Sequence, residues 1–514
     1  MARSPRNSRP IRAIQPETED ERMFRWALWA VFVITVARLV WLALDRTDLY
    51  PDEAQYWVWA QHPDWGYFSK PPMVAWIIAA ATRVFGDNGP AVRLAAPLLH
   101  FVTAIAIYGG ARQLYDARTA FWSALTYAAL PGVSASAAIM STDAPMLLCW
   151  AAALYAFLRA RASGDLRWWL IVGIAIGLGL LSKYAMAYWL LCAFIFTLMF
   201  REERKHLPML LGATALGLVF YAPNFLWNYG NGFVSYHHTE ANASLGGALF
   251  NPLNLLDFFG AQFGVFGPLL FAALIVMIAL ARRTMRDRNA ALLLCFTLPP
   301  LVLMLGLSLL SRAQPNWAAP SYVAASILVT AWLLATGWRI VLIVSLALHL
   351  AAAAVIAVGV RNIGAIAGID VPIKYDPLHR IEGWRKLGHA VSHELAQHPG
   401  AIVMADDREL LAALMFYVEP HPLNALEWNP QGGIHDQFEL TQRPALDLGA
   451  DFLFVTQRPN KAAPVIARFK EVAAQETVTI FLSRPGTVAT PDEQRHYTLY
   501  VLKGFKGFPE PSRP

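Results

Sequence analysis

The chain is a succession of apolar runs separated by short polar turns. Eleven runs approach the roughly 20 residues that a helix rising about 1.5 Å per residue needs to cross a hydrocarbon layer. They lie near 25–44, 91–111, 118–138, 144–160, 167–182, 185–200, 207–225, 257–281, 290–310, 318–336 and 339–360. Those at 144–160 and 185–200 are short for a full crossing. Past residue 368 the runs shrink to strand length, at Ala401–Met404, Asp451–Val455, Val478–Leu482 and Tyr497–Leu502. Helical stretches fall between them, around 384–397, 406–417 and 462–472. The pattern predicts a polytopic α-helical membrane protein of about 11 transmembrane helices over 25–362. A soluble α/β domain follows over 368–514. The polar ends, 1–24 and 504–514, are predicted to be disordered.

Composition agrees. Of 514 residues, 56% are hydrophobic and 15% charged, against roughly 25% charged in soluble domains. That excludes a cytosolic enzyme or a disordered regulator. The net charge of +6 does not point to nucleic acid, because the basic residues cluster between apolar runs, where they report topology. With the N-terminus inside, Arg112 and Arg118, Arg159, Arg161 and Arg167, Arg201, Arg204 and Lys205, Arg282, Arg283, Arg286 and Arg288, and Arg339 all fall on the cytoplasmic side. The outer side then holds 45–90, 139–143, 183–184, 226–256, 311–317 and the C-terminal domain. No cleavage site follows the first run, so residues 1–24 read as a cytoplasmic tail and not as a signal peptide. Cys149, Cys192 and Cys295 sit inside apolar runs without CxxC spacing and read as core residues. There is no nucleotide-binding glycine loop.

The outer loops carry the chemistry. The large first loop, 45–90, opens with Tyr50-Pro51-Asp52-Glu53 and continues through Tyr56, Trp57 and Trp59 to Tyr67-Phe68-Ser69-Lys70-Pro71-Pro72. The aromatics suit a membrane interface or a short amphipathic helix lying on it. Two carboxylates at the mouth of a span are costly unless used. Ser141-Thr142-Asp143-Ala144-Pro145 reads equally as a helix N-cap and as a second acid facing the pocket of Asp52. Lys183, beside Tyr184, either snorkels to the surface or grips a phosphate. His237 and His238 read as substrate contacts sooner than metal ligands, and Arg312 is a further anion partner. His389 and His393, four apart on a helix, lack a third ligand and read as surface residues. Asn242-Ala243-Ser244 matches a glycosylation sequon and reads as chance.

Taken together, the Asp-Glu pair after the first span, the Tyr-Phe-Ser-Lys-Pro-Pro segment and Ser-Thr-Asp-Ala-Pro resemble a known group. They look like the polyprenyl-phosphate-sugar-dependent glycosyltransferases of the GT-C fold, family 39-type enzymes similar to protein O-mannosyltransferases and to the lipid A aminoarabinose and galacturonate transferases. The likeness covers about 25–240, more weakly 311–322, and does not extend to 368–514. It implies transfer of a sugar from a polyprenyl-phosphate donor to an envelope lipid or glycan acceptor. The setting would be the periplasmic face of a bacterial inner membrane, among membrane lipids, with no nucleic-acid partner.

The resemblance maps its catalytic acid onto Asp52, its second acid onto Asp143 and its Lys-Pro-Pro lysine onto Lys70, near the donor phosphate. In chemical terms Asp52 acts as general base on the acceptor hydroxyl. Lys70, with Lys183 or Arg312, meets the charge growing on the leaving phosphate, and a single displacement inverts the anomeric centre. Glu53 orients Asp52 or joins Tyr67, Tyr184, His237 and His238 in holding the substrate. A divalent cation is left open, with no ligand set assigned. The alternatives are a lipid-linked sugar transporter or flippase, a protein O-glycosyltransferase, and an envelope scaffold.

Overall fold

The computed structural model describes residues 18–243, 250–366, 381–430, 432–441, 448–482 and 490–507, with 368, 371–373, 376 and 379 between them. Ser244 of the sequon and most of both predicted tails lie outside the described residues. The tails are shorter than predicted where they can be followed. A capping box between Thr18 and Glu21 starts the first helix at Glu19, and the last strand runs to Phe505.

A helix lies at each of the eleven apolar runs, but they are unequal. Among the described residues, five stretches are long and apolar enough to cross a membrane: Glu19–Leu44, Gly89–Leu114, Arg201–Gly230, Arg288–Leu310 and Arg339–Val358. Leu166–Ser182, Tyr184–Met199 and Ser321–Ala335 are apolar but shorter. Asp143–Ser163 is a largely buried helix. The run at 118–138 breaks at Pro131 into Ala117–Ala129 and Pro131–Ser136.

The run at 257–281 is not the straight span expected. Helices Pro252–Val265 and Pro268–Ala279 meet at 117°. Gly267, at φ +92°, takes the left-handed backbone of the break, and Pro268 starts the next helix, where a missing N–H costs nothing. A Cβ at position 267 would lie 1.8 Å from Nε2 of His349, so glycine is required for space as well. The bent pair still connects the two ends of the bundle. Asn251 donates to the Leu309 carbonyl at 2.7 Å, and Arg283 shares a cavity wall with Tyr115, Asp116 and Arg339.

At that second end the basic clusters gather. Arg161 pairs with Glu203 at 2.6 Å, Arg288 with Glu202 at 2.8 Å, and Arg112 with Asp20. Asp116, Asp165 and Asp287 cap the helices that start there, which places acids at the positive end of each helix dipole. Cys192 and Cys295 are buried and Cys149 half-buried, all three free thiols, as expected of packing residues.

The first loop folds into helices Pro51–Gln61, Met73–Phe85 and Gly89–Arg93. Its aromatics do not form an interface belt. Tyr56, Trp57, Trp59 and Tyr67 are buried, because the C-terminal domain closes over them. Trp57 meets Phe416 edge-on at 5.0 Å and donates to Asp87 at 2.6 Å, and Trp59 stacks on Tyr67 at 4.5 Å.

The C-terminal domain is a five-stranded sheet with helices Trp384–Gln397 and Arg408–Tyr417. Its strands are β1 Ile402–Ala405, β2 Leu426–Glu427, β3 Phe452–Thr456, β4 Phe469–Phe481 and β5 Gln494–Phe505, in the order β2-β1-β3-β5-β4. The first three are parallel, and β5 pairs antiparallel with β3 and β4. The helix expected over 462–472 is only Ala463–Ile466; β4 starts at Phe469 and absorbs the rest. His389 and His393 are exposed. The domain is fastened to the first loop by the Leu49 amide donating to the Tyr417 hydroxyl at 2.6 Å, by Asp48 N–H to the Ile381 carbonyl, and by Phe68 N–H to Gln437 at 2.6 Å. One apolar cluster runs through both parts.

Glu53 is the knot of the first loop. It is 1% exposed. Its oxygens accept from Arg93 Nη2 at 2.7 Å, from Met140 N at 2.8 Å and from Tyr50 N at 2.9 Å. Arg93 also reaches Asp45 at 3.0 Å and the Asp48 carbonyl at 2.9 Å. Glu53→Ala would leave a buried guanidinium without its main partner, at a cost of about 3–5 kcal/mol. The expected result is a lowered midpoint of thermal unfolding in detergent. The double change with Arg93→Met should recover part of that loss.

Candidate active site

The end of the bundle opposite the arginine clusters gathers most of the predicted residues. Asp52 is the second residue of the Pro51–Gln61 helix, next to Glu53 but rotated about 100° from it. Its carboxylate stays 45% exposed, whereas Glu53 is spent inside. Glu53 therefore has no free oxygen for a sugar, a correction to its expected role. Buried Tyr67 is also structural. Its hydroxyl accepts from Asp64 N at 3.0 Å and lies 3.2 Å from the Trp59 carbonyl, and burial pushes its pKa up to about 12.

Asp143 begins helix Asp143–Ser163, but Thr142 makes no side-chain cap; the motif is used for an ion pair instead. Lys183 lies 2.6 Å from Oδ1 of Asp143, and Asn316 donates to Oδ2 at 2.8 Å. Both oxygens are thus held, and the side chain is nearly buried. Lys183 does not snorkel: the chain breaks from helix Leu166–Ser182 into a 3-10 turn there, which turns the ammonium inward.

Lys70 follows the loop that Tyr67 anchors. Burial lowers the pKa of its ammonium and nearby Lys183 lowers it further, while Asp52 and Asp143 act the other way. Among the described residues it makes no side-chain hydrogen bond, so it is the cation left without a partner between two acids. His238 packs edge-on against Phe68 at 5.2 Å. Burial, then Lys70 and Arg408, depress its pKa to about 4, so the ring is neutral at pH 7. His237 is exposed and faces Glu240 at 3.8 Å. Tyr184 is tied to Asn224 and Asn228 at 3.3 and 3.4 Å, not to the acids. Arg312 is exposed; Asn316, four residues on, is the part of that loop that reaches Asp143.

One central residue escaped the sequence. Arg408, the first residue of helix Arg408–Tyr417, donates from Nη1 to Oδ1 of Asp52 at 3.1 Å and to Gln55 Oε1. It lies 356 positions from Asp52, in a segment without a motif, so only the docked domain reveals it. A cavity of about 360 Å³ has Asp143 and Asn316 in a wall that is otherwise mainly apolar, with Tyr127, Leu130, Val133, Leu147 and Val265. Among the described residues no group of three or more His, Cys, Asp or Glu is placed to hold a metal. The cluster combines an accessible carboxylate, an unpartnered ammonium, a fixed ion pair and an apolar recess, the parts needed to hold a lipid-linked anion beside a base.

Known proteins share this architecture. Residues 69–227 match the family described as dolichyl-phosphate-mannose-protein mannosyltransferase. The lipid A galacturonosyltransferase RgtD of Rhizobium johnstonii is 31% identical over 445 residues, 84% of this chain and 91% of that protein. The undecaprenyl phosphate-alpha-4-amino-4-deoxy-L-arabinose arabinosyl transferase of Pseudomonas aeruginosa is 29% identical over 188 residues, 33% of this chain and 34% of that one. The crystal structure of ArnT from Cupriavidus metallidurans bound to undecaprenyl phosphate has the same fold, with a TM-score of 0.60 at 18% identity over 93% of this chain and 98% of that one.

The depressed basicity of His238 has a direct test. Titration of ring-labelled histidine should find this ring neutral at pH 6 and protonating near pH 4. Lys70→Met removes one of the two cations that disfavour the imidazolium, so the midpoint should rise. An unmoved midpoint would mean that Lys70 does not face this ring.

Proposed function

Because the chain belongs to the GT-C glycosyltransferases that use polyprenyl-phosphate sugars, we propose that it transfers a sugar from undecaprenyl phosphate to lipid A, with inversion and with Asp52 as general base. The observation that carries this reading is the pairing of an accessible carboxylate, Asp52, with an ammonium, Lys70, that has no hydrogen bond among the described residues.

The chemistry follows from that pairing. The acceptor hydroxyl gives its proton to Asp52 as its oxygen attacks the anomeric carbon. The bond from that carbon to the phosphate oxygen breaks, and the lipid phosphate leaves with added negative charge. Lys70 stands ready to meet that charge before the reaction starts, which is the condition under which electrostatic stabilisation is most effective. Asp143 has both oxygens engaged, so it is a positioning residue that fixes Lys183, not a second base. The polyprenyl chain lies in the apolar recess beside Asp143. Because a single base acts in a single displacement, the anomeric configuration inverts.

The arginine-rich end of the bundle is the cytoplasmic end under the positive-inside rule. The site and the α/β domain of residues 368–514 then stand on the periplasmic face of a bacterial inner membrane, and the N-terminal tail inside. The donor is made inside and carried across, which needs no nucleotide-binding loop in this chain. A lipid acceptor is favoured over a protein one because the relative matched along 91% of its length acts on lipid A.

The test is transfer by the full chain in nanodiscs, with undecaprenyl-phosphate sugars as donors and lipid A as acceptor. Asp52→Asn should lower kcat by about 10²–10⁴-fold with an unchanged thermal midpoint. Lys70→Ala should lower kcat with a smaller change in KM. Activity that survives Asp52→Asn removes the proposed base, and transfer to a peptide but not to lipid A removes the acceptor.

A further inference from the structure

The two kinds of relative handle sugars of opposite charge. A galacturonosyl group bears a carboxylate, and a 4-amino-4-deoxyarabinosyl group bears an amine. Overall fold does not separate them, but the groups around Asp52 do. Two cations stand near it, Lys70 and Arg408, with Lys183 beyond Lys70, and His238 adds no charge at neutral pH. Lys183 is committed to Asp143, and Lys70 serves the phosphate in the reading above.

Arg408 differs in where it enters and in what it has left. Its Nη1 is spent on Asp52 and Gln55. Among the described residues no hydrogen bond falls on Nη2 or Nε. Glu409 stands 3.6 Å from Nη2, beyond hydrogen-bond reach, and Asp436 adds a weaker field from the same domain. Nε and Nη2 form the edge of a guanidinium that grips a carboxylate through two parallel bonds, a geometry that lysine does not offer. In an inverting displacement the base stands on the face of the anomeric carbon opposite the phosphate. A cation bonded to the base is therefore beside the sugar and remote from the leaving group. An ammonium-bearing sugar placed there would meet the like charge of Arg408.

We infer that Arg408 is a specificity-determining residue that binds a carboxylate of the transferred sugar, so that the donor is a uronyl phospholipid and not an amino-sugar one. This rests on the transfer reading given above. It assigns the C-terminal domain a part in choosing the substrate, through a side chain that already holds the base.

The experiment compares three undecaprenyl-phosphate donors with the full chain in nanodiscs: galacturonosyl, galactosyl, which carries a neutral hydroxymethyl group in place of the carboxylate, and 4-amino-4-deoxyarabinosyl. Wild type should prefer the uronyl donor over the galactosyl one by about 10²-fold or more in kcat/KM, as expected where a group built to bond the substrate loses its partner. Arg408→Gln should bring that ratio close to one, and Arg408→Lys should keep only part of it. The ratio separates selectivity from any general loss through Asp52, which would lower both donors alike. If Arg408→Gln does not accumulate, Arg408→Lys supplies the comparison, since it keeps the charge and loses the fork. A ratio unmoved by both changes overturns the inference, including the case where Arg408 serves an anion of the acceptor. A wild type that prefers the amino sugar also overturns it while leaving glycosyl transfer intact. Turnover of no lipid-linked donor at all strikes the transfer reading itself.

Discussion

The buried ion pair between Glu53 and Arg93 holds the site in register. Separated, two such charges in an apolar interior are costly, and their mutual attraction offsets this only if the remaining donors and acceptors are also filled. Here they are filled by parts of the chain that need to be aligned. Arg93 gathers Asp45 at the end of the first helix and the Asp48 carbonyl in the loop. Glu53 takes the amides of Tyr50 and Met140. Asp52 is the next residue to Glu53, and Asp143 lies three beyond Met140. The distance between the two acids of the site is thus set by a pair that touches neither.

This explains which parts of the site were legible in the sequence. Asp52, Lys70, Asp143 and Lys183 stand out because charge at a membrane edge is rare and local. Their neighbours were harder to sort. Asp52 and Glu53 look alike as a pair of acids, yet one helical step of rotation leaves one exposed beside Arg408 and sends the other into the protein. His237 and His238 divide in the same way. The aromatics of the first loop have the composition of an interface belt, and only the domain above them makes them a core. Arg408 carries no signal, because an arginine at the start of a short amphipathic helix is ordinary. Asn316 was visible only as part of a polar loop whose charged member, Arg312, drew attention and faces solvent.

The membrane part shows a similar division. Hydropathy located a helix at each apolar run, since apolar length is a property of composition. It did not foresee the 117° bend at Gly267, because a Gly-Pro step is compatible with a kink, a break or a loop. The packing of His349 against that glycine decides among them. The strand pattern of the C-terminal domain was readable where strands are short and buried. It failed in β4, a 13-residue strand with mostly exposed positions, whose polar face hid its period.

The way the C-terminal domain sits on the first loop has a consequence for traffic. Trp57, Phe416, Leu49, Tyr417 and their neighbours form a single apolar cluster across the junction. Lifting the domain would expose that cluster to water and break the hydrogen bonds along its edge. It is a fixed roof and not a lid. Under the proposed transfer, a long-chain lipid would therefore enter from the side, between helices, and its tail need never leave hydrocarbon.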